Sequence, residues 1–132
     1  MIDPSLSFQA AIVTKLRATD GIGAVIYDRV PTTVQKPYIS FGPSQITSDD
    51  ATCIDGFEVF QQVDIWSVVP GFAEVKALGE KVRAALHRYE FMVDGVPFEI
   101  EHRFTNYLRD SDGLTSHGVL SFRVLIDVKQ GE

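Results

Sequence analysis

The chain predicts an α+β fold: a largely antiparallel β-sheet with two α-helices packed on one face. Three observations lead there. Two stretches repeat apolar residues at three- and four-residue spacing, and several others alternate apolar and polar residues strictly. The segments run in the order helix, two or three strands, helix, three strands. A length of 132 residues is enough for one compact domain, expected to span residues 1–132.

The first helix is expected over "DPSLSFQAAIVTKLRATDG", with Asp3 as N-cap, Pro4 at the first helical position and Asp20-Gly21 as the stop. Phe8, Ile12 and Leu16 form one stripe, with Val13 beside it. "AVIYDRV" reads as a short strand ending at Pro31; after the loop "PTTVQKP", "YISFG" reads as a second strand. The polar stretch "PSQITSDDATCIDG" carries no period and is expected to be a long loop or the tip of a hairpin. In "FEVFQQVDIWSVV", Phe57, Val59, Val63 and Ile65 share one face of a long strand, and Glu58, Phe60, Gln62, Asp64 and Trp66 share the other. Pro70-Gly71 breaks that strand. The second helix follows, with Phe72, Val75, Leu78, Val82, Leu86 and Tyr89 on its apolar stripe and Glu74, Lys81, Arg83 and Arg88 opposite. Asp94-Gly95 signals a tight turn between two strands. The second of these places Val96, Phe98, Ile100, His102 and Phe104 on its apolar face. The last strand, "HGVLSFRVLIDV", turns Leu120, Phe122, Val124, Ile126 and Val128 inward.

Composition excludes several function classes. No apolar run reaches the 18 or so residues that cross a bilayer, so no membrane partner is expected. "MIDPSLSFQ" lacks the basic-then-apolar order of a signal peptide, which points to synthesis and folding in a cytoplasm. Cys53 is the sole cysteine, so no internal disulfide can form. The net charge is −6 and the Lys and Arg residues are scattered among acidic neighbours, which argues against direct nucleic-acid recognition.

The residues that could carry chemistry each have a plainer explanation. Asp110-Ser111-Asp112-Gly113 opens like a calcium loop, but the glycine comes too early and Val119 stands where a glutamate ligand belongs. Asp and Gly are also what a turn between strands requires. His87 falls on or near the outer side of the second helix, His102 on an apolar strand face and His117 on the outer face of the next strand, so they cannot share a metal. Cys53 has no basic neighbour to activate it. "DGIG" lacks the spacing and the lysine of a phosphate loop. The expectation is no catalytic residue, no metal and no cofactor.

The outer sheet face is more informative. Phe60, Trp66 and Val68 lie beside Gln62 and Asp64, while Val119 and Leu125 flank Ser121 and Arg123. Mixed apolar and polar faces with aromatics are typical of partner surfaces. Phe60, Trp66 and Val119 are therefore candidate contact residues. The segment from Ser44 to Asp55, with Asp49, Asp50 and Asp55, is a candidate arm reaching a neighbour.

"LSFQAAIVTKLRA", "VIYDRVP", "KPYISFG", "VDIWSVVPGFAEVKALGEKVRAALH" and "LRDSDGLTSHGVLSFRVLID" resemble, in that order, segments of a family of phage tail-completion proteins. That family is similar to the tail terminators, or tail-to-head joining proteins, of long-tailed phages and gene transfer agents. The resemblance covers most of the chain and is weakest from Pro43 to Gly56. It implies a structural, non-catalytic subunit of the virion that forms a ring, usually hexameric, at the head-proximal end of the tail. Such a ring caps the tail tube and meets the connector below the head. The implied partners are other copies of the chain, the tube protein and a head connector or neck protein, with DNA passing through the ring. A head-side connector or neck protein, and a monomeric small-molecule-binding domain, are the alternatives.

Overall fold

The computed structural model describes residues 5–48, 55–93 and 95–128; for 55, 56 and 126–128 it describes the backbone. In chain order it contains α1 (Ser5–Ala18), β1 (Val25–Ile26), β2 (Tyr38–Ser48), β3 (Asp55–Ser67), α2 (Ala73–Leu86), β4 (Glu90–Val93), β5 (Val96–Arg109) and β6 (Ser116–Val128). The strands form one sheet in the order β1-β2-β3-β6-β5-β4. Only the β1–β2 pair is parallel; the others are antiparallel. Asp3 and Pro4, the expected start of the first helix, lie outside the described residues.

One face of the sheet carries both helices. Phe8, Ile12 and Leu16 of α1 and Val75, Leu78, Val82 and Leu86 of α2 are buried with Ile39, Val59, Val63, Ile65, Ile100, Leu120, Phe122 and Val124. These are the stripes that helical and strand periodicity pick out. At one sheet margin α1 meets β4, where the Phe8 and Phe91 rings stack with centroids 5.7 Å apart. At the other margin Arg17 Nη2 donates to the Ile26 carbonyl at 3.0 Å. A helix of 14 residues spans about 21 Å, close to the roughly 24 Å between the outer strands of a six-stranded sheet.

Two expectations from the sequence are corrected. First, the stretch from Pro43 to Gly56 is not all loop. Ser44–Ser48 continue β2 and pair with Phe57–Gln61, and Asp55 and Gly56 already belong to β3. A margin strand exposed on both faces has no apolar alternation to reveal it; its register is imposed by β3. The pairing skips between Phe41 and Ser44, so Gly42 and Pro43 form a bulge, the place in a sheet where proline is tolerated. Gln61 points into the core at 1% exposure and repairs this gap. Its Nε2 donates to the Gly42 carbonyl at 3.1 Å, and its Oε1 accepts from Ser44 Oγ at 2.7 Å.

Second, Phe104 is not a core residue. The β5–β6 register slips between His102 and Phe104, so two β5 residues span one step of β6. Beyond this bulge the alternation inverts. Thr105 and Tyr107 take the helix face, opposite Leu120 and Gly118, and Phe104 turns to the bare face at 51% exposure.

Tyr107 then fills a slot that two glycines open. A Cβ on Gly79 of α2 would sit 2.1 Å from the Tyr107 hydroxyl and 3.0 Å from Cζ; one on Gly118 would sit 3.2 Å from Cε1. Gly79 thus lets α2 approach β5 and β6 closely, at the helix-propensity cost of a mid-helix glycine. Gly79→Ala is expected to lower the unfolding free energy by about 1–3 kcal/mol through overpacking, although alanine is favoured in a helix by about 1 kcal/mol. Tyr107→Phe in the same background should recover much of that loss in a urea-denaturation double-mutant cycle. Strictly additive losses would show that Tyr107 is not what Gly79 accommodates.

Candidate interaction surface

The face of the sheet away from the helices is arranged in cross-strand rows. The first row runs Tyr38, Trp66, His117, Leu108; the second Ser40, Asp64, Val119, Asn106. A third runs Gln45, Phe60, Arg123, Glu101. Aromatic rings stack along the first row: Trp66 lies on His117 at 3.8 Å between centroids and 12° between planes, and Tyr38 lies on the other side of Trp66 at 6.3 Å. Tyr27 meets Tyr38 edge-on at 5.9 Å. Because these rings cover one another's faces, they present edges to solvent. The row is a rigid ridge and not a platform on which bases or sugars could stack.

Polar contacts lock the ridge in place. Trp66 Nε1 donates to Ser40 Oγ at 3.0 Å. His117 Nε2 and Asp64 Oδ1 are 2.7 Å apart, and Gln62 Nε2 donates to the same carboxylate oxygen at 2.9 Å. Asp64 is 5% exposed, so its carboxyl depends on these partners for its hydrogen bonds. Gly42 gives it room: a Cβ there would fall 2.7 Å from Asp64 Oδ2. Burial, with the nearby Asp64, raises the Tyr38 phenol above its ordinary value. In the third row Arg123 is shared by Glu58 and Glu101, and Arg103 Nη1 lies 3.7 Å from Glu101. Both arginines of this face are thus paired with carboxylates. Phe104, Leu108 and Leu125, each about half exposed, supply its accessible apolar area.

Of the residues expected at a contact surface, Phe60, Trp66 and Val119 all lie on this face, each partly buried. Trp66 and Val119 sit in adjacent rows, whereas Phe60 is six residues from Trp66 along β3, about 20 Å away. Asp55 opens β3 opposite Val128. Asp49, Asp50 and Cys53 lie outside the described residues. Sequence periodicity missed Phe104, because a bulge leaves no composition signal that would reset the phase.

The Asp110–Gly113 segment is a turn between β5 and β6. Asp112 Oδ1 accepts from the Leu114 and Thr115 amides, each at 2.8 Å, and its Oδ2 accepts from Thr115 Oγ1 at 2.7 Å. Gly113 takes φ 73° and donates to the Asp110 carbonyl at 3.0 Å. His102 and His117 fall on opposite sheet faces as the sequence indicates, but His87 is not on the outer side of α2: it ends the helix turned toward the sheet. His117 is on the bare face, and His87 and His102 meet on the helix side with ring centroids 6.5 Å apart. Among the described residues, no three His, Cys, Asp or Glu side chains gather as metal ligands.

Comparison with known proteins adds two findings. The profile of a family described as "Tail completion protein gp17" matches residues 10–127. A chain in the solved structure "Virion of native gene transfer agent (GTA) particle" is similar to this one with a TM-score of 0.80 and 22% identity, over 91% of this chain and 94% of that chain. At that identity the likeness shows a shared fold. No curated protein matches the chain.

The turn gives a pH prediction. The Thr115 backbone and hydroxyl, then the Leu114 amide, hold the Asp112 carboxyl down at about 2, below its ordinary 3.8. A carboxyl depressed in the folded state stabilises it above the unfolded value, and that contribution fades as pH falls through the folded one. Asp112→Ala should therefore lower the thermal midpoint at neutral pH, with the gap to the unaltered protein closing between about pH 4 and about pH 2. A gap that stays constant over this range would show that the charge of Asp112 does not support the turn.

Proposed function

The chain belongs to the tail completion protein gp17 family, and we propose that this structural tail protein is a terminator: it closes into a hexameric ring at the head-proximal end of the tail tube. In this role the ring caps the tube, stops further addition of tube subunits and offers its far side to the head connector. Its partners are copies of itself, the tube protein and the connector or neck protein. The subunit is made in the host cytoplasm and has no catalytic task. The whole chain acts as one domain.

One observation carries the ring: among the described residues, the sheet has two open edges that suit each other. On one side β1 pairs with β2 only at Tyr38 and Ile39, so the β2 edge is open from Ser40 to Ser48. On the other, β4 covers β5 only from Val96 to Glu99, and the edge is open from Arg103 to Arg109. Natural sheets usually guard such edges with charge or proline. Ser44–Ser48 carry neither, whereas Pro43 lies just before them and the β5 edge carries Arg103 and Arg109. Three antiparallel pairings separate β2 from β5, so the two strands run in opposite directions. A rotation that sets β2 of one copy beside β5 of the next therefore joins them as an antiparallel ladder. That contact is heterologous, the kind that closes rings.

The outer part of the open β2 edge and the open β5 edge lie at different heights. Ser44–Ser48 are level with Phe57–Gln61, and Phe104–Arg109 with Ser116–Ser121. Joining them offsets each copy along its strands, as closure of a twisted sheet requires. Phe60, Trp66, Val119 and Phe104 then contribute to contacts around the ring or with the tube. With net charge −6 per subunit, the ring repels DNA weakly and lets it pass.

The role is tested by deleting the gene in a strain that makes the particle and imaging the lysate by negative-stain electron microscopy. Tails of uncontrolled length without heads are expected. Normal-length tails beside filled heads would move the assignment to a connector or neck protein, and intact infectious particles would overturn it. For the ring itself, Phe104→Glu should leave the circular dichroism spectrum unchanged and abolish assembly in sedimentation velocity. Unaltered assembly would remove the bare face from the contact.

A further inference from the structure

We propose that His87 is an acid-labile clasp: with Nδ1 unprotonated, its imidazole fastens the end of α2 to the edge of β5, and protonation there releases the two. Three hydrogen bonds fix this junction. Arg88 N–H donates to the Ile100 carbonyl at 2.7 Å, and Ile100 N–H donates to the Tyr89 carbonyl at 2.9 Å. The His102 N–H would be the next donor along that edge, and no strand is there to accept it. His87 Nδ1 accepts it instead, at 3.0 Å. A side chain thus stands in for a missing strand.

The chemistry of this bond is one-sided. A backbone N–H can only donate, so Nδ1 must keep its lone pair; an imidazolium donates from both nitrogens and would set N–H against N–H. The neighbouring chain is already held against its preference, since Arg88 has φ 68°, a left-handed conformation that side chains other than glycine and asparagine seldom adopt. His87 ends α2 as its C-cap, with its own N–H bonded to the Arg83 carbonyl at 2.8 Å.

The charged groups around the clasp come from α2, from β5 and, with Arg88, from the link between α2 and β4. From α2 come Arg83 and Glu80, paired at 2.7 Å. From β5 come His102 and Glu99, the latter 3.3 Å from Arg88 Nε. The Phe122 ring of β6 meets His102 edge-on, and Thr105 Oγ1 lies 2.6 Å from His102 Nε2. Burial, then Arg83 and His87, hold His102 below the ordinary histidine value, so the pair does not favour a second positive charge. The open β5 edge begins one residue beyond the clasp, at the bulge. Release therefore lengthens that edge and loosens the end of α2 together.

The test is amide exchange of His102 in the full-length chain, corrected for intrinsic rates, between about pH 7.5 and about pH 5.5, the range in which imidazoles titrate. Protection is expected to be lower at the acid end of this range than at the neutral end. His87→Asn, whose Oδ1 accepts without titrating, should keep protection at both pH values, and His87→Ala should lose it at both. Protection independent of pH in the unaltered protein, an equal acid loss in His87→Asn, or full protection in His87→Ala would each overturn the proposal.

Discussion

The pairing of β3 with β6 is the constraint on which the rest of the molecule depends. It runs unbroken from Asp55 opposite Val128 to Ser67 opposite Ser116. Every other strand takes its position from one member of this pair: β2 from β3 and β5 from β6, with β1 and β4 added at the margins. A slip of one residue would exchange the two faces of the sheet. Both faces resist it. On the helix side Val59, Val63, Leu120, Phe122 and Val124 would have to enter water. On the bare side the Trp66–His117 stack, the His117–Asp64 contact and the Arg123–Glu58 pair would be lost together.

The two bulges divide the sheet into parts with different tasks. Gly42-Pro43 separates the half of β2 that holds the aromatic ridge from the neutral half with an open edge. The slip at Arg103 separates the half of β5 covered by β4 from the half that is open. Beside each bulge a side chain takes up a backbone group that the ladders leave: Gln61 bridges the gap between β2 and β3, and His87 accepts the His102 N–H on the outer edge of β5. The interior therefore stays satisfied while the outline of the sheet is left incomplete at two margins. In an isolated subunit such margins are a hazard that pairing with another strand would remove.

Much of this was legible in the residues. The stripes of both helices and the alternation of β3 and β6 follow from periods of 3.6 and 2, because those elements each bury one face. The Asp112 turn was legible because its chemistry is local. Three kinds of feature were not. The outer half of β2 has polar residues on both faces, so no pattern marks it as a strand. The β5 bulge shifts phase without a special residue, and Phe104 consequently moved from the core to the surface. The Gly79–Tyr107–Gly118 fit joins residues far apart in the chain, and a lone glycine in a helical pattern does not announce what it makes room for. The same limit applies to the expected contact residues: phase put Phe60, Trp66 and Val119 on the bare face, but only the structure shows that the rings of Trp66 and His117 stack on each other.

The central place of β6 has a consequence for how the subunit comes into being. β6 is the last of the described strands to leave the ribosome, yet it lies between β3 and β5. Until residues 116–128 emerge, both of those strands wait without their inner neighbour, and most of the long-range contacts of the sheet cannot form. Folding is therefore deferred until β6 has been made, as expected for a fold dominated by non-local pairing. A chain cut short by a premature stop before β6 would lack the middle of its sheet and would be a substrate for proteases, never a partial subunit. The topology itself screens out incomplete copies before assembly begins.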